Sequence, residues 1–600
     1  GGCAEVSDDV IFVDAQLSSD CSGTYSITNR DCSGSDGDAY NTLWEVVGYT
    51  YINNVPGILL NPGDTVFIRE GTYSRVRDRD SATAFTIVAQ GTFENPVTIK
   101  NYGEEHVVLT SDKNEAGSAL HTVMRVEGKN VIIDGVDLKG GRNFGFDATN
   151  GAENITIKNS RSYDNGMGLT SGFGVGYSAV NAKRIIFDRV ESFANGGNAK
   201  ISGIGLMLGR DPVNSSNDDL RKCKNCVIIN SMFHDNYYKW ASDTDHGTDS
   251  ADGVWIGGGD EAVVRNNIFW NNYDDGIDVM SVADVIQGNV FVMNKVNGIK
   301  IGVGGGGAHL IENNIALYNG AYGIDDGRSA GSIYANNIAF HNNLWGMVAD
   351  GSRMLISFNN ILYDNNFDSS SSIAYDYMTN PNTLFYSDYN FIGREIDKIN
   401  MNTKGFDVNS ITGNPQFKDV NFNFNIPLGI SSEIDCSNPL DVDNNCILEP
   451  EEMFSDENGD GKIQPEDVIL YLEKLGLGNA SLAIDKGIDD SLISSLVDEN
   501  LQLFVDATIE KRDGETQLRR IYNYQRLIDY LNNGDFHSWM GLADEDILGY
   551  GKIDGDGDGN AEWDLGTYEY SEEVGATSVS PGFLKTFFTG DIIRKIMEFF

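Results

Sequence analysis

Carboxylates and one lysine occupy matching positions in consecutive short repeats in the middle of the chain. Each repeat contains a glycine followed by an apolar residue, as in ADGVW, DDGID, NGIKIG and YGIDDG. Alignment on this step places Asp252 and Asp275 in one column, and Asp278 and Lys300 in another. Equivalent positions of stacked strands lie about 4.8 Å apart. We therefore expect these side chains to converge on one surface patch, with Asp274 at its edge.

Stacked carboxylates repel one another, and like charges placed opposite each other in a sheet cost free energy. A bound cation would remove that cost. Calcium takes six to eight oxygen ligands at about 2.3–2.6 Å, and four carboxylates could supply most of them while leaving room for a ligand oxygen. The pattern therefore predicts a calcium site at Asp252, Asp274, Asp275 and Asp278, with positions where a uronic acid could bind.

A recurring phrase indicates the fold that must position this patch. The phrase ends in asparagine each time, as in IKNSRSYDN, FDRVESFAN, IINSMFHDN, VRNNIFWNN, IQGNVFVMN, IENNIALYN, YANNIAFHN and SFNNILYDN, and the later copies are 22 to 25 residues apart. Alternating apolar and polar residues indicate short strands, and the closing Asn can bend the chain and bond to the Asn one coil away. We predict an all-β fold, a right-handed parallel β-helix (solenoid), with a small α-helical insertion near its C-terminal end.

The composition narrows the classes of partner. The 600 residues include 89 acidic and 43 basic side chains, for a net charge of -46. This charge argues against nucleic acid and anionic membranes as partners, because both attract basic surfaces. No apolar run approaches the ~20 residues of a membrane span. Many of the acids lie in Asp/Asn/Gly clusters, so we expect calcium as a cofactor.

Three close pairs of cysteines predict disulfides in an oxidising compartment, and hence an extracellular or cell-surface protein. The pairs are Cys21 with Cys32, Cys223 with Cys226, and Cys436 with Cys446. Cys223 and Cys226 also have the spacing of half a zinc site, but the second half is missing. Cys3 follows two glycines, as at the end of a lipoprotein signal, so it is a candidate for lipid attachment or a free thiol. Without an initiator Met or a signal peptide, the sequence is expected to be a mature or trimmed form.

A segment near the C-terminal end has the pattern of a calcium-binding loop, D-x-N-x-D-G-x-I-x-x-x-D. Its predicted ligands are Asp456, Asn458, Asp460, the backbone of Lys462, and Asp467. A weaker loop precedes it, with Asp441, Asp443, Asn445 and Glu452. The two resemble an EF-hand or dockerin module, which implies a protein partner; a structural hairpin held by calcium is the alternative. We expect Asp554, Asp556 and Asp558 to bind a structural calcium.

The segments ADGVW, DDGID, NGIKIG and YGIDDG resemble the core of the family-nine polysaccharide lyases, which are calcium-dependent pectate lyases of β-helix fold. The close likeness covers about residues 250–345. The segment LNPGDTVFIREGTYSR resembles the first coils of secreted β-helix polysaccharidases. The resemblance implies that Asp252, Asp274, Asp275 and Asp278 bind calcium and that Lys300 is the catalytic base.

This resemblance implies cleavage of an acidic, uronate-containing polysaccharide by β-elimination, in which Lys300 removes the C5 proton and the C4 oxygen leaves. A lysine is ordinarily protonated at neutral pH, and Lys300 lies between Asp278 and Asp325 in its column, so a salt-bridge ladder is the alternative. At the level of function, the alternative is a non-catalytic, calcium-stabilised surface protein, such as an adhesin or a filament subunit. The sequence does not identify the sugar.

Three further residues near the following turns are candidate substrate contacts: Arg328, His309 and Asp325. An Arg fork suits a carboxylate, although a solvated loop Arg and a turn-capping His are the alternatives. Tyr322 and Trp345 continue one column and could form a platform for sugar rings. These candidates would extend the site beyond the calcium ligands.

The sequence divides into four predicted segments. They are an N-terminal cap and β-helix at 1–434, the calcium-binding insertion at 435–478, closing strands with a helical insert and a calcium loop at 479–575, and an amphipathic tail at 576–600. The tail is expected to cap the open end of the β-helix, because exposed strand edges invite polymerisation. The sequence does not predict an oligomeric state.

Overall fold

Parallel strands dominate the computed structural model. It describes residues 10–47, 60–75, 83–111, 121–166, 173–196, 202–210, 222–237, 251–302, 307–327, 329–349, 351–365, 375–379, 384–417, 450, 454, 462–465, 467–468, 487 and 490–511. The chain divides into two compact units. The first contains residues 1–262, 272–274 and 431–434, and the second contains residues 263–271, 275–430 and 435–600.

The described residues of the first unit form β-strands and one helix, α1 (Leu43–Val47). Its strands are β1 (Val10–Val13), β2 (Asp38–Tyr40), β3 (Thr65–Ile68), β4 (Gly71–Arg75), β5 (Thr83–Ile87), β6 (Val97–Asn101), β7 (Val107–Ser111), β8 (Thr122–Val126), β9 (Lys129–Asp134), β10 (Asp137–Lys139), β11 (Phe144–Ala148), β12 (Ala152–Tyr163), β13 (Phe173–Ala179), β14 (Ala182–Phe193), β15 (Ser202–Leu208), β16 (Cys223–Lys224), β17 (Val227–Ile229), β18 (Met232–His234), β19 (Val254–Ile256) and β20 (Gly259–Asp260). One sheet has the parallel order β5, β8, β11, β13, β15, β19.

Charged side chains of the first unit alternate in sign from one coil to the next. Lys158 pairs in register with Asp134 on one side and Asp188 on the other. Its Nζ lies 3.4 Å from Asp134 Oδ2. In another column, Glu153 accepts from Lys129 and Lys183 at 2.9 and 2.7 Å. Each charge therefore faces an opposite charge at the spacing of the strands, which avoids like-charge repulsion.

The second unit continues with β21 (Val263–Arg265), β22 (Ile268–Trp270), β23 (Ile277–Val279), β24 (Val285–Gln287), β25 (Val290–Val292), β26 (Ile299–Ile301), β27 (Leu310–Glu312), β28 (Ile315–Leu317), β29 (Tyr322–Asp326), β30 (Ile333–Ala335), β31 (Ile338–Phe340), β32 (Trp345–Ala349), β33 (Leu355–Phe358), β34 (Ile361–Tyr363), β35 (Tyr375–Thr379), β36 (Leu384–Asp388) and β37 (Phe391–Ile392). The helices whose bounds lie within its described residues are α2 (Glu395–Asn402), α3 (Asp490–Glu499) and α4 (Leu501–Lys511). Each coil gives one strand to each of three parallel ladders, which begin at β21, β22 and β23. The predicted parallel β-helix is therefore confirmed.

Buried asparagines bond from coil to coil, as the recurring phrase predicts. In the second unit, the Nδ2 of Asn294 donates to Asn319 Oδ1 at 3.1 Å, and the same bond repeats from Asn319 to Asn342 and on to Asn365. Each Nδ2 of this ladder also donates to a backbone carbonyl of the preceding coil, as Asn294 Nδ2 does to Phe269 at 3.1 Å. The ladder ends on Asp376 Oδ1, a carboxylate oxygen that can only accept.

Two predicted disulfides are confirmed, Cys21–Cys32 and Cys223–Cys226. The second disulfide leaves no thiolate pair for half a zinc site. The third predicted pair, Cys436 and Cys446, lies outside the described residues, as does Cys3. No helix within the described ranges is long and apolar enough to cross a membrane.

A buried histidine of the first unit lies between two carboxylates. His234 Nδ1 lies 2.6 Å from Asp235 Oδ2, and His234 Nε2 lies 3.1 Å from Glu191 Oε1. Carboxylates only accept hydrogen bonds, so both ring nitrogens donate and the ring is charged. Burial opposes this charge, but the bonds to Asp235 and Glu191 outweigh it and raise the pKa of His234 to about 9.

This ion cluster predicts a loss of stability at alkaline pH. The pKa of His234 is about 9 in the folded chain against an ordinary 6.5, so its stabilisation is complete below pH 6.5 and is lost as the pH rises through 9. The shift corresponds to about 3 kcal/mol. Denaturant unfolding across this interval should show wild type losing about that amount of unfolding free energy relative to His234→Gln. Parallel pH profiles for the two proteins would contradict the assignment.

Candidate functional site

The repeated glycine step sets the close stacking of the coils that carry the site. A Cβ atom on Gly276 would lie 2.7 Å from the carbonyl oxygen of Gly298, and one on Gly298 would lie 2.8 Å from that of Gly323. Neither position has room for a side chain. The stacking puts Asp278, Lys300 and Asp325 in register on β23, β26 and β29, as the alignment of the repeats predicts.

Lys300 lies over two buried carboxylates of the second unit. Its Nζ is 3.0 Å from Asp275 Oδ2 and 3.4 Å from Asp278 Oδ2. The Lys300 side chain is 33% exposed, whereas Asp275 is fully buried and Asp278 nearly so. The amine is thus reachable from solvent while the acids are not. This arrangement can present a nitrogen base, or a cation, to a bound molecule.

Asp278 has an oxygen available for a further ligand. Burial raises the pKa of Asp278 to about 6; Lys300 opposes the rise and Asp275 adds to it. Asp278 Oδ2 faces Lys300, but Asp278 Oδ1 is buried and accepts no hydrogen bond within the described chain. A buried carboxylate oxygen without a donor is costly unless a cation or water satisfies it.

Asp252 and Asp274 belong to the first unit. Asp252 is fully buried, and the backbone N–H of Asp274 donates to the carbonyl oxygen of Ala251 at 3.1 Å. An oxygen of Asp252 and an oxygen of Asp274 lie within 4.8 Å of each other. These are two of the four predicted calcium ligands.

The two buried carboxylates beside Lys300, Asp275 and Asp278, form the acid group. This group departs from the charge pattern seen in the first unit. Lys158 and Glu153 each face opposite charges in neighbouring coils. Around Asp275, by contrast, carboxylates cluster while buried, where the free energy cost of like charges is greatest. The donor set, all hard oxygens, suits calcium. The residues present therefore fit a divalent cation.

The three predicted substrate contacts differ in their burial and in whether the structure describes them. Asp325 is half-buried in register with Lys300. His309 is fully buried, and its Nδ1 lies 3.3 Å from Asp284 Oδ2, so it is not placed to touch a polysaccharide. Its Nδ1 also accepts from the backbone N–H of Asp284 at 3.3 Å, which is compatible with the turn-capping alternative. Arg328 lies outside the described residues.

Tyr322 and Trp345 stack on each other, with ring centroids 4.8 Å apart and planes 10° apart. Tyr375 meets Trp345 edge to face at 5.9 Å. The facing sides of the Tyr322 and Trp345 rings cover one another and are closed to a sugar ring. We therefore interpret this column as packing rather than as a sugar platform.

Two of the predicted calcium ligands in the insertion at 435–478, Lys462 and Asp467, lie within the described residues. Asp467 Oδ2 accepts from the backbone N–H of Gln464 at 2.9 Å, and the helix begins at Pro465. Asp467 thus caps a helix, a role that does not need a metal. Lys462 is exposed. The other predicted ligands of the C-terminal calcium loops lie outside the described residues: Asp456, Asn458, Asp460, Asp441, Asp443, Asn445, Glu452, Asp554, Asp556 and Asp558.

One residue of the site was given no role from the sequence. Asn297 is buried, and both its backbone N–H and its Nδ2 donate to Asp275 Oδ1, at 3.0 and 2.8 Å. A signal was present, since Asn297 occupies the same column as Asp275. An amide next to a carboxylate in a column can always donate to it.

Comparison with known proteins identifies the fold class. The profile of the family described as right-handed beta helix region matches residues 211–343. The fold is therefore a right-handed parallel β-helix. No curated protein matches the chain.

Several solved structures are similar to the chain. Pectate lyase Pel9A is 15% identical, with a TM-score of 0.35, over 57% of this chain and 77% of that one. An alginate lyase from Paenibacillus sp. str. FPU-7 is 17% identical, with a TM-score of 0.35, over 50% and 89%. A mannuronic acid specific family 6 lyase from human gut microbiota is 12% identical, with a TM-score of 0.40, over 59% and 87%. These values carry no argument about activity.

Proposed function

We propose that this chain is a calcium-dependent lyase that cleaves a uronate-containing, pectate-like polysaccharide by β-elimination. The observation that carries the proposal is the position of Lys300. Its side chain is partly exposed, and its Nζ lies 3.0 Å from Asp275 and 3.4 Å from Asp278, two buried carboxylates of the second unit. A base beside a candidate calcium site is the arrangement that uronate elimination requires.

The residues proposed to hold the metal are Asp252, Asp274, Asp275 and Asp278. Calcium bound there would attract the substrate carboxylate next to C5 and offset the negative charge that develops on it. Lys300, in its neutral form, would take the C5 proton. The electron pair of the C5–H bond then forms the C4–C5 double bond, and the C4–O bond breaks with its electrons on the leaving oxygen. Asp275 and Asp278 hold the Lys300 amine at the surface of the site.

The second candidate function is that of a non-catalytic, calcium-stabilised surface protein. One observation favours it, since Lys300 lies in register between Asp278 and Asp325 just as Lys158 lies between Asp134 and Asp188. A lysine in such a column could serve stability alone. The two functions differ in what the loss of Lys300 would change: turnover for a catalytic base, and stability or calcium affinity for a structural lysine.

We also propose that the chain acts outside the cell or at its surface. The two disulfides support this location, because reducing compartments disfavour them. Calcium binding by the 435–478 insertion, a protein partner for it and a lipid anchor at Cys3 belong to the same proposal. They rest on the sequence motifs alone.

The direct test of the lyase proposal is product formation. Purified wild-type protein with polygalacturonate and excess calcium should generate the ultraviolet absorbance of unsaturated uronides, because elimination creates a C4–C5 double bond conjugated to the carboxylate. Alginate and other uronate polymers tested in parallel would identify the sugar. The absence of this absorbance with every polymer, at saturating calcium and alkaline pH, would contradict the proposal and leave the non-catalytic function.

A further inference from the structure

The amide side chain of Asn297 connects two coils of the second unit, and both of its ends are used. Nδ2 donates to Asp275 Oδ1 at 2.8 Å, and Oδ1 accepts from the backbone N–H of Tyr322 at 3.3 Å. An acceptor-only carboxylate on one side and an N–H donor on the other permit one orientation of the amide. The side chain is buried, at 2% exposure, so water does not compete for these bonds.

The partners of these bonds separate Asn297 from the structural asparagines of the same coils. Asn294 lies three residues earlier and is fully buried, and its Nδ2 donates to the side-chain oxygen of Asn319 in the next coil and to the backbone carbonyl of Phe269 in the preceding coil. The Nδ2 and the backbone N–H of Asn297 both donate instead to a carboxylate oxygen, Asp275 Oδ1. Asn297 therefore serves the carboxylate of Asp275 rather than the ladder.

The two oxygens of Asp275 have different partners in the next coil. Oδ1 takes both donors of Asn297, and Oδ2 faces Lys300 Nζ at 3.0 Å. Two hydrogen bonds to one oxygen fix the rotation of the carboxylate about its Cβ–Cγ bond. Without the side chain of Asn297, only the backbone N–H of residue 297 would hold Oδ1 from this side, and the carboxylate could rotate more freely. The orientation of Asp275 toward Lys300 thus depends on Asn297.

We propose that Asn297 is a positioning residue of the candidate calcium site, which holds the carboxylate of Asp275 so that one defined oxygen serves both Lys300 and the metal. This inference rests on the proposed function. Partners that orient a metal ligand commonly contribute about 10- to 100-fold to metal affinity. Asn297 would act through Asp275 and would not touch the substrate.

The test is calcium titration by calorimetry of the full-length, calcium-stripped protein. The Asp278→Asn variant identifies the class of binding sites that belongs to the acid group, since that class should disappear. In Asn297→Ala the same class should remain but bind calcium about 10- to 100-fold more weakly. Lyase turnover should recover at saturating calcium, which separates lost positioning from lost chemistry.

Asn294→Ala is the matched control, because it removes a buried amide from the same coil without touching Asp275. Both Ala variants should lower the melting temperature, but only Asn297→Ala should change calcium affinity. Asn297→Ser keeps one side-chain donor, so its calcium affinity should lie between those of wild type and Asn297→Ala. It replaces Asn297→Ala in the test if that variant does not fold.

Two outcomes would contradict the positioning role of Asn297 without contradicting the proposed calcium site. One is wild-type calcium affinity in Asn297→Ala and Asn297→Ser, and the other is an equal loss of affinity in Asn294→Ala. A different result, in which Asp278→Asn removes no class of calcium sites, would contradict the metal site itself. The failure of the positioning role and the failure of the proposed function are therefore distinguishable.

Discussion

Replacing Lys300 with Ala is expected to lower turnover by about 10²- to 10⁴-fold, the usual effect of losing a general base. The Lys300 amine is the basic group in contact with Asp275 and Asp278, and the side chain is partly exposed. Steady-state rates of double-bond formation at saturating calcium would measure the effect. Lys300→Arg should rescue poorly, because a guanidinium stays protonated.

Lys158→Ala is the matched control for this variant. Lys158 is 29% exposed against 33% for Lys300, and its Nζ also lies 3.4 Å from an aspartate oxygen. It lies in register between Asp134 and Asp188, so it carries the same electrostatic role without the acid group. Its loss should leave turnover unchanged.

A purely structural Lys300 would give the opposite pattern. Lys300→Ala would then leave Asp278 and Asp325 without a cation between them, which would change stability or calcium affinity as Lys158→Ala changes stability. Any lyase signal would persist at the wild-type rate. That result would contradict the assignment of Lys300 as the base.

Removal of calcium is expected to abolish activity and to lower the melting temperature. The carboxylates of Asp252 and Asp274 repel each other when no cation offsets their charge, and so do those of Asp275 and Asp278. A ligand at about 100 times its dissociation constant stabilises the folded state by about 2.7 kcal/mol. Chelator and calcium titrations, followed by thermal unfolding and by product absorbance, would measure both effects. Unchanged melting in excess chelator would count against every calcium site proposed for this chain.

The Asp275→Asn variant tests whether the effects of calcium removal on activity and melting temperature arise at the acid group. The variant removes one charge from the group, and we expect at least a ~10²-fold loss of activity at limiting calcium and a smaller calcium-dependent rise in melting temperature. Asp376→Asn is its control, since Asp376 is also buried and also accepts from the backbone N–H and Nδ2 of one asparagine, Asn365. Equal losses of calcium-dependent stabilisation in both variants would point to general destabilisation.

The sequence determined the coils and their register. The asparagine spacing and the Gly-apolar step specify where each strand begins, and parallel pairing then brings Asp278 opposite Lys300, 22 residues later. A one-residue slip would turn every buried side chain outward, so this register is strongly constrained. The column of Asp278 and Lys300 could be predicted for the same reason, because the two occupy equivalent positions of the repeat. Asp274 does not follow from the repeat in this way, since its equivalent in the preceding copy is Ala251.

The tertiary structure decided what the repeat does not encode. His309 is buried rather than exposed because of the path of its turn, and the alignment of strands does not fix that path. Glu191 and His234 lie in consecutive copies of the recurring phrase, and the pairing of β14 with β18 puts His234 opposite Phe193, two residues from Glu191. The repeat therefore places them in adjacent coils, but it does not predict that the buried ring of His234 bonds to both Glu191 and Asp235. The bond from Asn297 to Asp275 depends on which atoms of Asp275 and Tyr322 face the amide. Periodicity determines which residues share a column, whereas donor direction and burial depend on the packed coil.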